Sequence, residues 1–171
     1  MYASIMLYAL MLAAVLLSQK STKNITQKLG FAETNMQKAL ATGVLYAGAM
    51  LVISAAIGAF FYSLGMESDV AKVPETIKSA GAFQILAVVV MGSIVEEIFF
   101  RGYLQRKTNI IFASFIFAYF HIIYGSIAEM IGAFFLGAVL GVAYSRSKNL
   151  IVPSTAHLAY NLVLVMLIFS A

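Results

Sequence analysis

The sequence has no cysteine, and only 11% of its 171 residues are charged. Without cysteine the chain can form neither a disulfide nor a thiolate metal site, and it has no thiol nucleophile. A Gly-x-Ser-x-Gly motif is also absent, so catalysis by a serine nucleophile has little support. Hydrophobic residues make up 62% of the chain, and the mean hydropathy is +0.93. A soluble domain of this length cannot bury that much apolar surface, so the composition predicts an integral membrane protein.

Six apolar segments account for most of the sequence. Each is near the ~20 residues that an α-helix needs to cross a bilayer core, and a helix satisfies its own backbone hydrogen bonds in lipid. We therefore predict a single all-α domain over residues 1–171, a polytopic membrane bundle of about six transmembrane helices. Residues 1–79 supply the first two helices with their polar connectors, and residues 65–80, which contain Pro74, are expected to form the only sizeable outer loop. The apolar segments are residues 1–17, 39–64, 81–100, 109–124, 127–144 and 150–171.

The basic residues indicate how the bundle is oriented. Nine of the eleven lie in or next to the connectors that follow the first, third and fifth segments, and only Lys72 and Lys78 lie on the other side. Because basic loops stay in the cytoplasm, we predict that both termini lie outside. The net charge of +4 is thus a topology signal and gives no reason to expect a nucleic-acid partner.

Several polar side chains interrupt the apolar segments. Glu96 and Glu97 lie near the end of the third segment, His121 lies in the fourth, and His157 and Asn161 lie in the sixth. An ionisable group at membrane depth costs at least ~2.5–3.5 kcal/mol, so a chain rarely carries several without a use for them. With a rise of ~1.5 Å per residue, these groups fall at a common level between the cytoplasmic quarter and the midplane of the bilayer.

Helical spacing separates the two glutamates. Glu97 and Arg101 are four residues apart, so they share a helix face and can form an ion pair. Glu96 is turned ~100° away from Glu97 and can face elsewhere. The spacing therefore predicts a supporting Glu97–Arg101 pair beside a site that contains Glu96, the two histidines and Asn161.

The residue types in this site indicate hydrolysis. A carboxylate with a neighbouring imidazole can orient and deprotonate a water molecule. An amide and a second imidazole can donate hydrogen bonds to a developing oxyanion. These are the parts needed to hydrolyse a peptide bond without a covalent intermediate.

Other noticeable residues have simpler interpretations. Gly137 and Gly141 form a small-xxx-small pair, which is typical of close helix packing. Pro153 falls in the first turn of the last helix, where its missing N–H does no harm. Glu129 is expected near the outer end of the fifth helix, at the membrane interface and away from the other polar groups.

Three motifs in this order resemble those of a known family. Glu96-Glu97-x-x-x-Arg101 resembles the Glu-Glu-x-x-x-Arg signature of the CAAX protease and bacteriocin-processing family, which are intramembrane endopeptidases related to the type II CAAX prenyl protease. Phe117-x-x-x-His121 and His157-x-x-x-Asn161 are similar to that family's Phe-x-x-x-His and His-x-x-x-Asn motifs. The resemblance covers residues 80–169, each motif on its own predicted helix.

The resemblance implies a glutamate-dependent intramembrane protease that uses no cofactor. Glu96 and His121 would activate water, His157 and Asn161 would stabilise the oxyanion, and the Glu97–Arg101 pair would hold the site together. The expected partners are membrane lipid and a peptide or lipidated-peptide substrate, while the oligomeric state is left open. Short loops and the lack of a targeting signal favour a prokaryotic plasma membrane.

Two other functions stay open. Glu96, His121 and His157 could bind zinc as a two-histidine, one-glutamate set with an open position for water, which would make the chain an intramembrane metalloprotease. A non-enzymatic membrane scaffold, immunity protein or proton-coupled carrier could use the same polar cluster. No inverted repeat is visible in the sequence, which counts against a carrier.

Overall fold

The computed structural model describes residues 2–18, 27, 30–31 and 35–170. Across these residues the chain is helical with no strand, which confirms the predicted all-α membrane bundle. Three lysines of the first connector, Lys20, Lys23 and Lys28, lie outside the described residues. The helices are α1 (Tyr2–Leu17), α2 (Met36–Ser63), α3 (Glu67–Ser79), α4 (Ala82–Lys107), α5 (Ile110–Phe120), α6 (Ile127–Ser147) and α7 (Ile151–Ser170).

Four of these helices, α2, α4, α6 and α7, are long and apolar enough to cross a membrane. Shorter apolar helices cover Met6–Leu17 within α1 and Ile110–Tyr124, which is α5 with its 3₁₀ extension. Large apolar side chains cover the outer faces; Leu45, Val52 and Met166 are each at least 70% exposed. Such faces require lipid, so the chain is an integral membrane protein. Six complete spans and the side of each terminus remain predictions.

The expected outer loop is instead a helix, α3, which contains Pro74. Its first turn carries Glu67 and Asp69 and its last turn carries Lys78, which suits the helix dipole. Asp69 also receives hydrogen bonds from the start of α6, at 3.0 Å from the Ser126 hydroxyl and 2.9 Å from the Ala128 N–H. The prediction of a loop was therefore wrong, because docking on α6 stabilises a short helix that has no long apolar run.

Helix α4 changes its winding around the glutamate pair. A π-helical segment, Val88–Gly92, precedes the α-helical turn Ser93–Glu97, and a second, Ile98–Leu104, follows it. Wide π turns within α-helices are frequent at functional sites. The two glutamates thus lie in a short α-helical stretch between two wide turns.

Close helix contacts hold the bundle together. Helix α2 packs along α6 and α7, α5 packs on α6, and α1 packs on the part of α4 from residue 93 to residue 104. A Cβ atom added at Gly137 would lie 3.2 Å from the Phe117 ring, and one at Gly141 would lie 2.8 Å from Ile110. The predicted packing role of this glycine pair is confirmed. Pro153 lies in the first turn of α7, as predicted.

Candidate active site

A cavity of about 370 Å³ lies between the helices, and most of its lining is apolar. Glu96, His121, His157 and Asn161 all line it, so the structure brings together the four residues that the sequence singled out. Glu97 and Arg101 do not line it. The other polar residues of the lining are Tyr8, Thr76, Gln84, Ser93, Tyr124, Glu129 and Tyr160.

Glu97 is fully buried and is held by two side chains, those of Arg101 and His157. Its Oε1 atom accepts a hydrogen bond from Arg101 Nη1 at 2.9 Å and lies 2.9 Å from His157 Nδ1. Arg101 is also buried; its Nη2 donates to the Gly137 carbonyl at 2.9 Å, and its guanidinium carbon lies 4.7 Å from the centre of the Phe117 ring. The ion pair therefore forms and connects α4 to α6 and α7.

The two histidines are both oriented through Nδ1. In His157 this nitrogen donates to the Glu97 carboxylate, which leaves Nε2 4.0 Å from Oε2 of Glu96. In His121 it lies 2.8 Å from the Phe117 carbonyl oxygen. Because a carbonyl can only accept, this contact assigns the proton of a neutral His121 to Nδ1. In each histidine Nε2 is therefore the ring nitrogen that is not held by these contacts.

The Phe117 ring separates the two imidazoles. Its centre lies 4.5 Å from the His121 ring and 5.9 Å from the His157 ring. Phe117 is buried and precedes His121 by one turn of α5, where the α-helix ends at Phe120 and a 3₁₀ turn begins. This ring fixes the spacing of the two histidines.

Glu96 has different surroundings from Glu97. Its side chain is 16% exposed and faces the cavity, with His157 Nε2 at 4.0 Å and the Tyr8 hydroxyl of α1 nearby. A distance of 4.0 Å is too long for a direct hydrogen bond. The Glu96 carboxylate therefore faces the cavity without a short ion pair to His157.

Asn161 is positioned by Ser93, which the sequence analysis missed. The Asn161 Nδ2 group donates to Ser93 Oγ at 3.1 Å, and that hydroxyl donates to the Val89 carbonyl at 2.6 Å. This chain of hydrogen bonds uses one of the two N–H groups of the amide. Ser93 could have been found from its spacing, since it lies one helical turn before Glu96 and Glu97.

Two further cavity residues were also missed. Tyr8 comes from α1, in a part of the sequence without any motif. Glu129 was expected at the interface and away from the site, yet it is half-buried and lines the same cavity as His121. The expected separation from the other polar groups was wrong because α5 is short, and the turn at Gly125–Ser126 returns the chain so that the first turn of α6 lies beside His121.

A metal site receives mixed support from this geometry. Both Nδ1 atoms are held by protein oxygen atoms, as is usual for histidines that bind a metal through Nε2. Within the described part of the chain, however, no three His, Asp or Glu side chains come together as a set of metal ligands. Glu96, His121 and His157 share the cavity without converging on one point in this conformation.

The family relationship agrees with the motifs. A model of the type II CAAX prenyl endopeptidase Rce1-like family matches residues 78–163, half of the chain. The chain is also 29% identical over 120 residues to a Bacillus subtilis (strain 168) protein named "Putative membrane peptidase YdiL". The alignment covers 67% of this chain and 49% of that protein, so the chain spans about half the length of this curated relative.

The family match includes the glutamate pair, both histidines and Asn161, but it does not include Tyr8. No solved structure matches the chain. At the level of the family, these findings support a membrane protease. The chain belongs to the Rce1-like family of type II CAAX prenyl endopeptidases.

Proposed function

We propose that the chain is an intramembrane endopeptidase in which Glu96 activates water for direct attack on a peptide bond. The observation that carries this proposal is the contrast within the glutamate pair. Glu97 is buried and bonded to Arg101 and His157, whereas Glu96 faces a largely apolar cavity. Of the two glutamates, only Glu96 can therefore contact a substrate bound in the cavity. Membership of the family supports the same type of reaction.

The proposed reaction needs no covalent intermediate. Glu96, assisted by His121 of the same cavity, takes a proton from water while the water oxygen forms a bond to the carbonyl carbon of the substrate. The resulting oxyanion accepts hydrogen bonds from the free N–H of Asn161 and from Nε2 of the imidazolium form of His157. The tetrahedral intermediate then breaks its C–N bond, and Glu96 returns the proton to the departing amine.

The cavity suggests the class of substrate. Its apolar walls suit the hydrophobic part of a peptide, or of a lipidated peptide, that enters from the membrane. If the basic loops lie in the cytoplasm of a prokaryotic cell, the peptide bond would be cleaved near the cytoplasmic face of the plasma membrane. Membrane lipid and such a peptide are the partners that we propose.

The proposal is tested by cleavage of membrane-anchored reporter peptides, both prenylated and unmodified, by purified protein. Wild type is compared with Glu96→Gln and with Glu75→Gln, which changes an exposed glutamate of α3. We expect wild type and Glu75→Gln to cleave and Glu96→Gln to be inactive while still folded. Equal cleavage by wild type and Glu96→Gln would overturn the proposal. No cleavage of any peptide would favour the scaffold or immunity function.

Zinc-dependent proteolysis is the second candidate, favoured by the anchored Nδ1 atoms of both histidines. The same assay is therefore run with and without a strong chelator. Activity that survives chelation supports the metal-free reaction. Activity that is lost on chelation and restored by zinc would instead assign Glu96, His121 and His157 as ligands.

A further inference from the structure

Helix α1 supplies a tyrosine to the catalytic end of the cavity. Tyr8 lines the cavity with Glu96, and its hydroxyl and Oε1 of Glu96 both lie beside Gly92. Met11, one turn further along α1, is 4% exposed and packs in a core cluster with Val95 and Phe100 of α4. The helix is therefore held against the segment that carries Glu96, and Tyr8 is not a surface residue that happens to lie nearby.

Gly92 provides the space that the Tyr8 hydroxyl occupies. A Cβ atom added at residue 92 would lie 2.5 Å from the Tyr8 oxygen and 3.6 Å from Oε1 of Glu96. Any other residue at this position would displace the hydroxyl from its place beside the carboxylate. Gly92 ends the first π-helical segment of α4, directly before the turn that carries Glu96.

The neighbouring cationic side chains are either too far from the Glu96 carboxylate for a hydrogen bond or already bonded to other groups. His157 approaches from α7 to 4.0 Å, which is longer than a hydrogen bond. Arg101 lies on the same helix but is bonded to Glu97 and to the Gly137 carbonyl. The further titratable groups that share the cavity are Tyr124, His121, Glu129 and Tyr160.

We propose that Tyr8 is a positioning residue that donates a hydrogen bond to Glu96 and holds its carboxylate toward the substrate. This inference rests on the proposed function, in which Glu96 is the general base. A donor to the charged form of a carboxylate favours that form, so it keeps the base ready to accept a proton from water. The catalytic unit then extends beyond residues 78–163 and requires α1.

The first test is the pH profile of kcat/KM for Tyr8→Phe, which removes only the hydroxyl. We expect cleavage at neutral pH to fall roughly tenfold, since a hydrogen bond to a charged group is lost. We also expect the acidic limb to move up by about one pH unit, with KM little changed. Tyr62→Phe is the matched control because Tyr62 is 62% exposed on α2, and its profile should equal that of wild type.

A second variant and a second measurement separate this inference from the proposed function. Gly92→Ala should produce the same shift as Tyr8→Phe, because its methyl group displaces the hydroxyl. Infrared difference spectra recorded during a pH titration report protonation of Glu96 directly, with Glu96→Gln as the blank. The midpoint should be higher in Tyr8→Phe than in wild type, whether or not a peptide is cleaved.

Two results would overturn the role of Tyr8. One is a Tyr8→Phe profile that superimposes on that of wild type while Glu96→Gln is inactive; the proposed function would then stand without Tyr8. The other is an unchanged infrared midpoint. If no peptide is cleaved but the midpoint does move, the contact is established and the function of Glu96 must be sought elsewhere.

Discussion

Glu96 and Glu97 are adjacent in the sequence, yet they lie in opposite environments on α4. Glu97 is fully buried, and one of its oxygens binds both Arg101 and His157. Glu96 borders the cavity, and Nε2 of His157 in the last helix is 4.0 Å from its carboxylate. A carboxylate that is buried among protein groups and paired with a cation can support a site but is out of reach of a substrate. A carboxylate left partly free at a cavity can contact a substrate.

The side of α4 that packs on α6, its packed side, carries two further buried polar residues after Glu97. Arg101 and Gln105 donate to the carbonyls of Gly137 and Gly141, at 2.9 Å and 3.0 Å. Those glycines allow α6 to approach closely enough for the contacts to form. One side of α4 is thus fastened by buried polar groups, and the other side carries Ser93 and Glu96 toward the cavity.

The largest expected effect separates the two glutamates. Glu96→Gln should lower kcat by about 10²–10⁴-fold, because the proposed general base is lost. Its unfolding temperature in detergent should match that of wild type, since Gln fills the same space and no buried ion pair is broken. A drop in stability similar to that of Glu97→Gln would show that the two positions do not differ as described.

Substitutions on the packed side of α4 should lower the stability of the protein. Arg101→Ala leaves the buried Glu97 carboxylate without its cation, and we expect a loss of about 3–5 kcal/mol in the free energy of unfolding. The control is Arg146→Ala, which removes an exposed arginine of α6. Adding Glu97→Gln to Arg101→Ala should recover part of the loss, because no unpaired charge then remains. Equal stability of the Arg101 and Arg146 variants would count against a buried ion pair.

On the cavity side, Asn161→Ala should reduce kcat by about 10²–10³-fold with KM nearly unchanged, as expected for a lost oxyanion donor. Ser93→Ala should have a smaller effect in the same direction, because the amide is kept but is no longer held by Ser93. Steady-state kinetics distinguish the two roles of Asn161. A rise in KM alone would assign Asn161 to substrate binding.

The smallest effect concerns a third carboxylate, that of Asp69 on α3. Burial opposes its ionisation, but hydrogen bonds from Ala128, Lys72, Ser126 and Ile127 outweigh this and lower its pKa from 3.8 to about 2. Its stabilising contribution is therefore complete above about pH 4 and is lost as the pH falls toward 2. Thermal unfolding measured against pH should show this loss in wild type and a weaker one in Asp69→Asn. Identical curves would contradict a stabilising role for the hydrogen bonds from the start of α6 to Asp69.

Much of the bundle and of the site could be predicted because membranes impose strong rules. Apolar runs of sufficient length predict helices, and ionisable residues within them stand out. The four-residue spacing of Glu97 and Arg101 was enough to predict their pair. Helix α3 was missed because its stability comes from Asp69 docking on α6, a contact between residues more than fifty positions apart.

By itself the sequence determined the helical membrane fold, the ion pair and the set of polar residues available for chemistry, since these depend on composition and local spacing. Only the tertiary structure decided that Tyr8, Ser93 and Glu129 share the cavity with Glu96. Their positions depend on how α1 packs on α4, how α7 faces Ser93, and how the short α5 turns back into α6. These arrangements arise from packing between distant helices, which no local pattern records.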